Sequence, residues 1–400
     1  MAPITEDKHW AAQYPELGTD PIPIEPCLSP EYHDRERERI YRRVWLNVGR
    51  EDELPRGGDF FVKDIAAVNS SILIVRGKDG VIRGFHNACT HRGNKVTRES
   101  RGNRNGFVCG FHGWAFGLKG DLINVTDEEQ FFGLDKSSCG LTPVATDVWE
   151  GFIFINVDPK PEQTLAEFLG DWGKALSGYE FGSMVMRDRY ETEVNVNWKV
   201  ALDAFQEAWH ARFVHKRSGG EAYASKDNPY IHVLQFKLYP LHRMMSVPGN
   251  AEFVPTPIQI CAHQFGKSYI SRDGSGEGLP PGVNPTRNPV WMFDSNYIFP
   301  NFSIFVFDGM FFTYHFWPLT EDRTLWETRT YYPPAENAGQ RFSQEYAKCA
   351  LRDTWLEDLS TLEDIQVAIS SRSVKHFMLQ DQEILVRHSH KVIADYVGDE

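Results

Sequence analysis

The 400-residue sequence predicts an α+β fold in two domains, an all-β domain followed by an antiparallel sheet covered by helices. Three observations carry that expectation. Residues 59–157 are a succession of short apolar runs separated by turn residues. Residues 187–198 alternate with period two, as a half-buried strand does. The stretches 338–372 and 378–397 read as helices.

In chain order, a segment over 1–40 is expected to be helical and to pack on the second domain. Ser29-Pro30-Glu31 opens a charged helix over 30–50, running through an Arg/Glu-rich stretch to Tyr41 and Trp45, whose mixed charges suit a solvated face. Residues 41–158 form the all-β domain. There Ile72–Val75, a Gly77-Lys-Asp-Gly80 turn and Val81-Ile82 make a hairpin, and Phe152–Ile155 closes the region. Pro159 to Pro161 read as a linker, so the second domain spans 159–400. Thr164-Leu-Ala-Glu167 is a capping box that starts its first helix. In the alternating segment, Tyr190, Thr192, Val194, Val196 and Trp198 share one face. Strands follow over 230–246 and 290–318, the latter dense in aromatics from Trp291 to Trp317. Part of that stripe is expected to line a cavity, the rest to be core. The Gly/Pro-rich loop 271–289 reads as a lid or as an inert excursion. Arg387-His388-Ser389-His390 is expected on a solvated helix face.

Composition narrows function. The chain is 41% hydrophobic, enough for two cores. A net charge of −13 without a basic run argues against nucleic acid and anionic membranes as partners. No apolar run approaches the ~20 residues of a membrane span, and Met1-Ala-Pro-Ile-Thr-Glu-Asp-Lys lacks a signal peptide's apolar core. The six cysteines show no disulfide framework, which suits a cytoplasmic setting. Those at 27, 139, 261 and 349 read as small buried hydrophobes.

Chemistry concentrates in two places. Cys89-Thr90-His91 and Cys109-Gly110-Phe111-His112 put one Cys and one His into each of two short loops. Two thiolates on one iron and two imidazoles on another is the Rieske [2Fe–2S] arrangement. Gly93, Gly110 and Gly113 supply backbone freedom for the turns. Structural zinc is the alternative, although zinc modules more often pair Cys with Cys and His with His. The second place is Glu207-Ala-Trp-His210-Ala-Arg-Phe-Val-His215. On a regular helix, residues five apart point about 140° apart. The two histidines therefore share a metal only if the helix is distorted, and they need a third ligand to make a two-His-one-carboxylate site.

With these pieces, Asn197-Trp198-Lys199 and Glu363-Asp364-Ile365, the chain resembles the catalytic (alpha) subunits of Rieske non-haem iron oxygenases over nearly its whole length. The resemblance implies a helix-grip, START-like catalytic domain. It implies a Rieske cluster on Cys89, His91, Cys109 and His112, and mononuclear Fe(II) on His210, His215 and Asp364, with Glu363 or Asp358 as the alternative acid. It also implies that Glu207 bridges the two centres across neighbouring subunits of a homotrimer, between His210 of one chain and His112 of the next. Many members carry Asp where this chain has Glu207, and Asn and Tyr where it has Ala204 and Trp209.

The implied function is that of a terminal oxygenase acting with O2 on a hydrophobic, aromatic substrate by ring dihydroxylation, as in aromatic hydrocarbon catabolism. The alternatives are monooxygenation (hydroxylation or O-/N-demethylation) and a non-catalytic Rieske electron carrier. No Gly-rich dinucleotide fingerprint or second four-cysteine set is present. Electrons are therefore expected from a separate NAD(P)H-dependent reductase, with or without a ferredoxin, and a small beta subunit is left open.

Overall fold

The computed structural model describes residues 9–265 and 278–398. Contacts divide the chain after Glu36 and after Phe168. Arg37–Phe168 forms one compact unit, and the stretches on either side of it together form the other. Among the described residues, no helix is long and apolar enough to cross a membrane.

The unit 37–168 is all-β. Its seven-stranded antiparallel sheet runs in the order β1 (Leu46–Arg50), β10 (Phe152–Asn156), β9 (Pro143–Trp149), β4 (Ile82–His86), β3 (Ser70–Arg76), β2 (Asp59–Ile65) and β5 (Arg101–Asn103). The expected hairpin is β3–β4, closed at Gly80, where φ is 81°. A three-stranded sheet of β6 (Phe107–Val108), β7 (Ala115–Phe116) and β8 (Leu122–Asn124) carries the second Cys/His loop. Between the sheets lies a core that includes Phe60, Leu73, Phe85, Trp114 and Phe116.

The helix expected over 30–50 is shorter. It runs as α1 (Pro30–Glu36) and one wide turn, Arg37–Tyr41. Leu46–Arg50 is instead a fully buried strand paired with β10, because its apolar residues fill the sheet. The α1 face is not simply solvated either, since Glu36 is wholly buried.

The larger unit is built on a second seven-stranded antiparallel sheet. Its order is β11 (Val185–Val194), β17 (Arg323–Tyr332), β16 (Met310–Thr320), β15 (Phe302–Phe307), β14 (Trp291–Ile298), β13 (Arg243–Pro248) and β12 (Gln235–Leu238). The strands expected over 230–246 are thus two, and those expected over 290–318 are three. The capping box forms as expected: Glu167 N–H donates to Thr164 Oγ1 at 3.2 Å, and Thr164 N–H donates to Glu167 Oε2 at 2.9 Å.

Helices follow as α2 (Leu165–Leu176), α3 (Trp198–Asp203), α4 (Ala211–Val214), α5 (Pro257–Phe265), α6 (Ala338–Ser370) and α7 (Ile384–Val397). In α6 one stripe is buried: Ser343, Ala347, Leu351, Trp355, Asp358, Leu362, Gln366 and Ile369. Spacings of three and four keep that stripe on a single helix face.

Of the loop expected at 271–289, residues 271–277 lie outside the described residues. The remainder is fastened to the sheet where Asn284 N–H donates to Asp294 Oδ2 at 2.7 Å. All six cysteines are free; Cys27 is buried, but Cys261 and Cys349 are exposed, contrary to the expectation for them.

Candidate metal centres

The two Cys/His loops are built alike. In one, Cys89 N–H donates to Asn94 O at 2.8 Å and Gly93 N–H to Cys89 O at 2.8 Å. In the other, Cys109 N–H donates to Trp114 O at 2.8 Å and Gly113 N–H to Cys109 O at 3.0 Å. Both turns close on a left-handed glycine, Gly93 (φ 76°) and Gly113 (φ 72°), which a side chain would strain. Gly110 has no positive φ, so the freedom expected there is not used.

Each thiol receives the N–H groups of the second and third residues after it. For Cys89 these are His91 and Arg92; for Cys109, Phe111 and His112. Burial opposes ionisation of both. At Cys89 it wins and raises the thiol. At Cys109 the Phe111 N–H, the Asn94 amide and the Cys89 thiol together outweigh it and lower the thiol.

The imidazoles sit on the outer side. The His91 and His112 rings lie 4.7 Å apart, and His91 stacks on Trp114 at 4.8 Å and 12°. Nδ1 of each ring is buried with no hydrogen-bond partner. Such orphaned buried atoms are costly in a finished fold, and a metal on each resolves that. A single zinc would draw all four ligand atoms together. Among the described residues, the one group of three or more ligand atoms lying within 4.8 Å of each other is elsewhere. The arrangement thus fits a two-metal cluster with paired thiolates and paired imidazoles.

That compact group is His210, His215 and Asp358. The chain solves the helix-phase problem by breaking the helix. α3 ends at Asp203, and only one turn, α4, separates the histidines; His210 precedes it and His215 closes it with φ −86° and ψ 44°. The two rings come to 5.2 Å. Asp358 Oδ1 lies 3.6 Å from His210 Nε2 and 3.3 Å from His215 Nε2. Ligands about 2.1 Å from one metal and 90–110° apart are separated by about 3.0–3.4 Å, so the spacing suits a shared ion.

The expected carboxylate, Asp364, is elsewhere. It is exposed, about 120° around α6 and about 9 Å along it from Asp358. Leu362 and Gln366 hold the buried stripe and turn Asp364 outward. Its neighbour Glu363 accepts from Asn195 N–H at 3.0 Å and Nδ2 at 2.9 Å.

Both ring Nδ1 atoms meet a glutamate. His210 Nδ1 is 2.5 Å from Glu207 Oε1, and Glu207 Oε2 accepts the His210 N–H at 3.0 Å. His215 Nδ1 is 3.1 Å from Glu357 Oε2. Burial works against a charged His210, but the Glu207 charge and hydrogen bond overcome it and raise the ring to about 9. Burial and the His210 charge push His215 down to about 4. Burial lifts Asp358 to about 7, partly offset by His210. A metal is the natural way to neutralise such a packed set. Sequence reasoning ranks Asp364 ahead of Asp358, which it holds only as an alternative, and it misses Glu357. The available signal for Asp358 is an acid in a stripe that otherwise asks mainly for apolar residues.

A pocket opens from this site across the inner face of the sheet. Alternate residues face it: Met245 and Val247, Phe293 and Ser295, Phe305 and Phe307, Phe312 and Tyr314. From the helical side come Phe205, Leu351 and Trp355. The aromatic stripe thus divides by parity. His315 faces the other way, stacked between Phe302 (4.5 Å) and Trp317 (5.6 Å), as a core histidine. Arg387, His388, Ser389 and His390 are buried rather than solvated. His390 Nε2 pairs with Asp203 Oδ2 at 2.7 Å, and Arg243 donates to Ser389 Oγ at 2.8 Å, behind the iron-site helix.

Known proteins share this plan. The chain is 31% identical over 183 residues to the carnitine monooxygenase oxygenase subunit of Escherichia coli K12, covering 46% of this chain and 48% of that protein. It is 34% identical over 192 residues to the biphenyl 2,3-dioxygenase alpha subunit of Rhodococcus jostii RHA1, covering 47% and 41%. These alignments span about half the length of the curated relatives. A crystal structure of a quaternary ammonium Rieske monooxygenase superposes with TM-score 0.75 at 20% identity, covering 94% and 95% of the two chains. Naphthalene 1,2-dioxygenase from Rhodococcus sp. with indole bound gives 0.73 at 20% identity, covering 94% and 95%. The Rieske [2Fe-2S] domain model matches residues 44–143. Because the ring hydroxylating alpha subunit (catalytic domain) model matches residues 181–399, more than half of the sequence, the chain belongs to the Rieske oxygenase alpha-subunit family.

Proposed function

We propose that this chain is a terminal oxygenase that hydroxylates a hydrophobic, aromatic substrate in the pocket beside His210, His215 and Asp358. When bound, the Rieske cluster supplies single electrons and the mononuclear iron supplies O2 binding and activation. The chain's own residues do the rest. Cys89, His91, Cys109 and His112 hold the cluster. His210, His215 and Asp358 would hold the iron at the end of the pocket they line. Glu207 orients His210 and carries the link between the two centres, between neighbouring subunits of a homotrimer. A separate NAD(P)H-dependent reductase, alone or through a ferredoxin, is the electron source.

The observation that carries the aromatic reading is the pocket wall. Its charged side chains, Glu207 and Asp358, both lie at the iron end, and no Arg or Lys lines it among the described residues. A zwitterion with a carboxylate would find no cation there, whereas a flat apolar ring meets Phe293, Phe305, Phe312 and Trp355. A second reading, monooxygenation of a quaternary amine, is favoured by the similarity to the carnitine enzyme and by the affinity of aromatic walls for cations.

Product analysis with a surrogate reductase and 18O2 separates them. Candidate substrates are arenes, aryl methyl ethers and quaternary amines. Ring dihydroxylation puts both labelled atoms into one product; monooxygenation puts in one and releases the other as water. Turnover of amines alone would overturn the aromatic reading.

A further inference from the structure

We infer that Glu357 is a positioning residue for the iron site, holding the His215 imidazole in the tautomer and orientation that present Nε2 to the metal. The inference deepens the proposal that His210, His215 and Asp358 hold iron, and rests on it.

The geometry is a matched pair. Each histidine directs Nε2 toward Asp358 Oδ1, at 3.6 and 3.3 Å, and each turns Nδ1 to a glutamate. For His210 that glutamate is Glu207, three residues earlier in its own segment. For His215 it is Glu357, which comes from α6 and immediately precedes Asp358. A neutral imidazole has one N–H. Once Nδ1–H is committed to a carboxylate, Nε2 has to be the lone-pair nitrogen, which is the state a metal requires.

Glu357 is itself held. Oε1 accepts the Arg217 N–H at 3.0 Å, and Oε2 accepts the Ser218 hydroxyl at 2.5 Å. The side chain is only 17% exposed. These contacts tie the carboxylate to the loop that follows His215, and the Arg217 bond remains when Ser218 is replaced. Adjacent residues of one helix therefore face the two nitrogens of the same imidazole, Glu357 Oε2 at 3.1 Å from Nδ1 and Asp358 Oδ1 at 3.3 Å from Nε2. An anion on Nδ1–H also makes Nε2 a better donor to metal. A simple helix-to-loop clamp would use the Arg217 and Ser218 bonds without needing the ring.

The test is equilibrium dialysis of the full chain, cluster intact, against Co(II), with cobalt counted separately from cluster iron and its EPR line shape recorded. Glu357→Ala should weaken Co(II) binding by about 10–100-fold and change the cobalt signal. Glu357→Gln, which keeps an acceptor but loses the charge, should fall between it and the parent. Ser218→Ala removes part of the clamp and should stay within about twofold of the parent.

A parent-like affinity in Glu357→Ala would overturn the inference, as would an equal loss in Ser218→Ala. If Glu357→Ala does not fold, parent-like binding and cobalt signal in Glu357→Gln overturn it. Asp358→Ala separates the two levels. If it binds Co(II) as the parent does, the iron-site reading fails. If it loses cobalt while Glu357→Ala keeps it, only the role of Glu357 fails.

Discussion

Lys199→Met should destabilise the larger unit by an amount that depends steeply on pH. Lys199 Nζ lies 2.6 Å from Glu36 Oε1, and Trp198 Nε1–H donates to Glu36 Oε2 at 2.9 Å. The two charged side chains are 1% and 0% exposed. Burial alone would raise the Glu36 carboxyl, but the Lys199 charge, with hydrogen bonds from His33, Lys199 and Trp198, overrides it and holds the group below its usual range. Removing the lysine strands a buried carboxylate, and the chain's cheapest response is to protonate it.

From an unfolded value near 4.3, that costs about 1.36 kcal/mol per pH unit. The ceiling is about 4 kcal/mol at pH 7.5 and about 1.6 kcal/mol at pH 5.5, in the range known for broken buried pairs. The sign is definite: the variant's folded carboxyl is raised, so its penalty shrinks as pH falls. Urea denaturation followed by tryptophan fluorescence at both pH values measures it, with Glu36→Met/Lys199→Met as the relieved control. A loss under 1 kcal/mol at pH 7.5, or one no smaller at pH 5.5, would refute the reasoning.

Asp358→Ala should leave the Rieske cluster reducible while mononuclear metal is lost and oxygenation stops, whereas Asp364→Ala should retain both; metal analysis and product formation decide. Glu207→Gln should load both centres yet slow reoxidation of the reduced cluster by substrate and O2 about 10–100-fold, because an amide cannot offer two acceptor oxygens; stopped-flow absorbance at a wild-type rate would exclude it. The purified protein should be red-brown with the EPR signal of a mixed-ligand two-iron cluster, and a colourless protein with stoichiometric zinc would contradict the cluster assignment. Burial, with the Arg243 charge and smaller contributions from His242 and Lys391 against a Tyr239 backbone bond, pushes His388 down to about 3. Its contribution to stability is complete above pH 6.5 and declines as pH falls from there toward about 3. His388→Leu should therefore flatten the denaturation midpoint between pH 6.5 and 5, removing a slope worth up to about 2 kcal/mol.

The cluster was legible in the sequence because both of its loops are local. Each needs one Cys, one His and a glycine turn within six residues, and no distant partner decides their order. The histidine pair was half legible: spacing showed that a regular helix fails, but not that the chain would break at Ala204 and cap a single turn. Asp364 misled because a motif fixes a residue by its sequence neighbours, whereas a helix fixes it by phase. Among the acids of α6, phase against Leu351, Trp355 and Leu362 selects Asp358. The buried Ser389 and His390 show the limit of reading polarity alone, since their partners Arg243 and Asp203 arrive from a remote strand and helix.

The buried stripe of α6 also constrains how this chain can change its length. Each residue inserted in a helix turns everything beyond it by about 100° and advances it by about 1.5 Å. One insertion between Leu351 and Asp358 would either swing the acid away from the histidines or pull Ser343, Ala347 and Leu351 out of the core. Seven residues, close to two full turns, is the smallest step that nearly restores phase, and even that displaces the acid by about 10 Å. Relatives of this chain should therefore differ in length in the segments that flank the helix, 333–337 and 371–380, and keep the helix itself free of insertions and deletions around the iron-site acid.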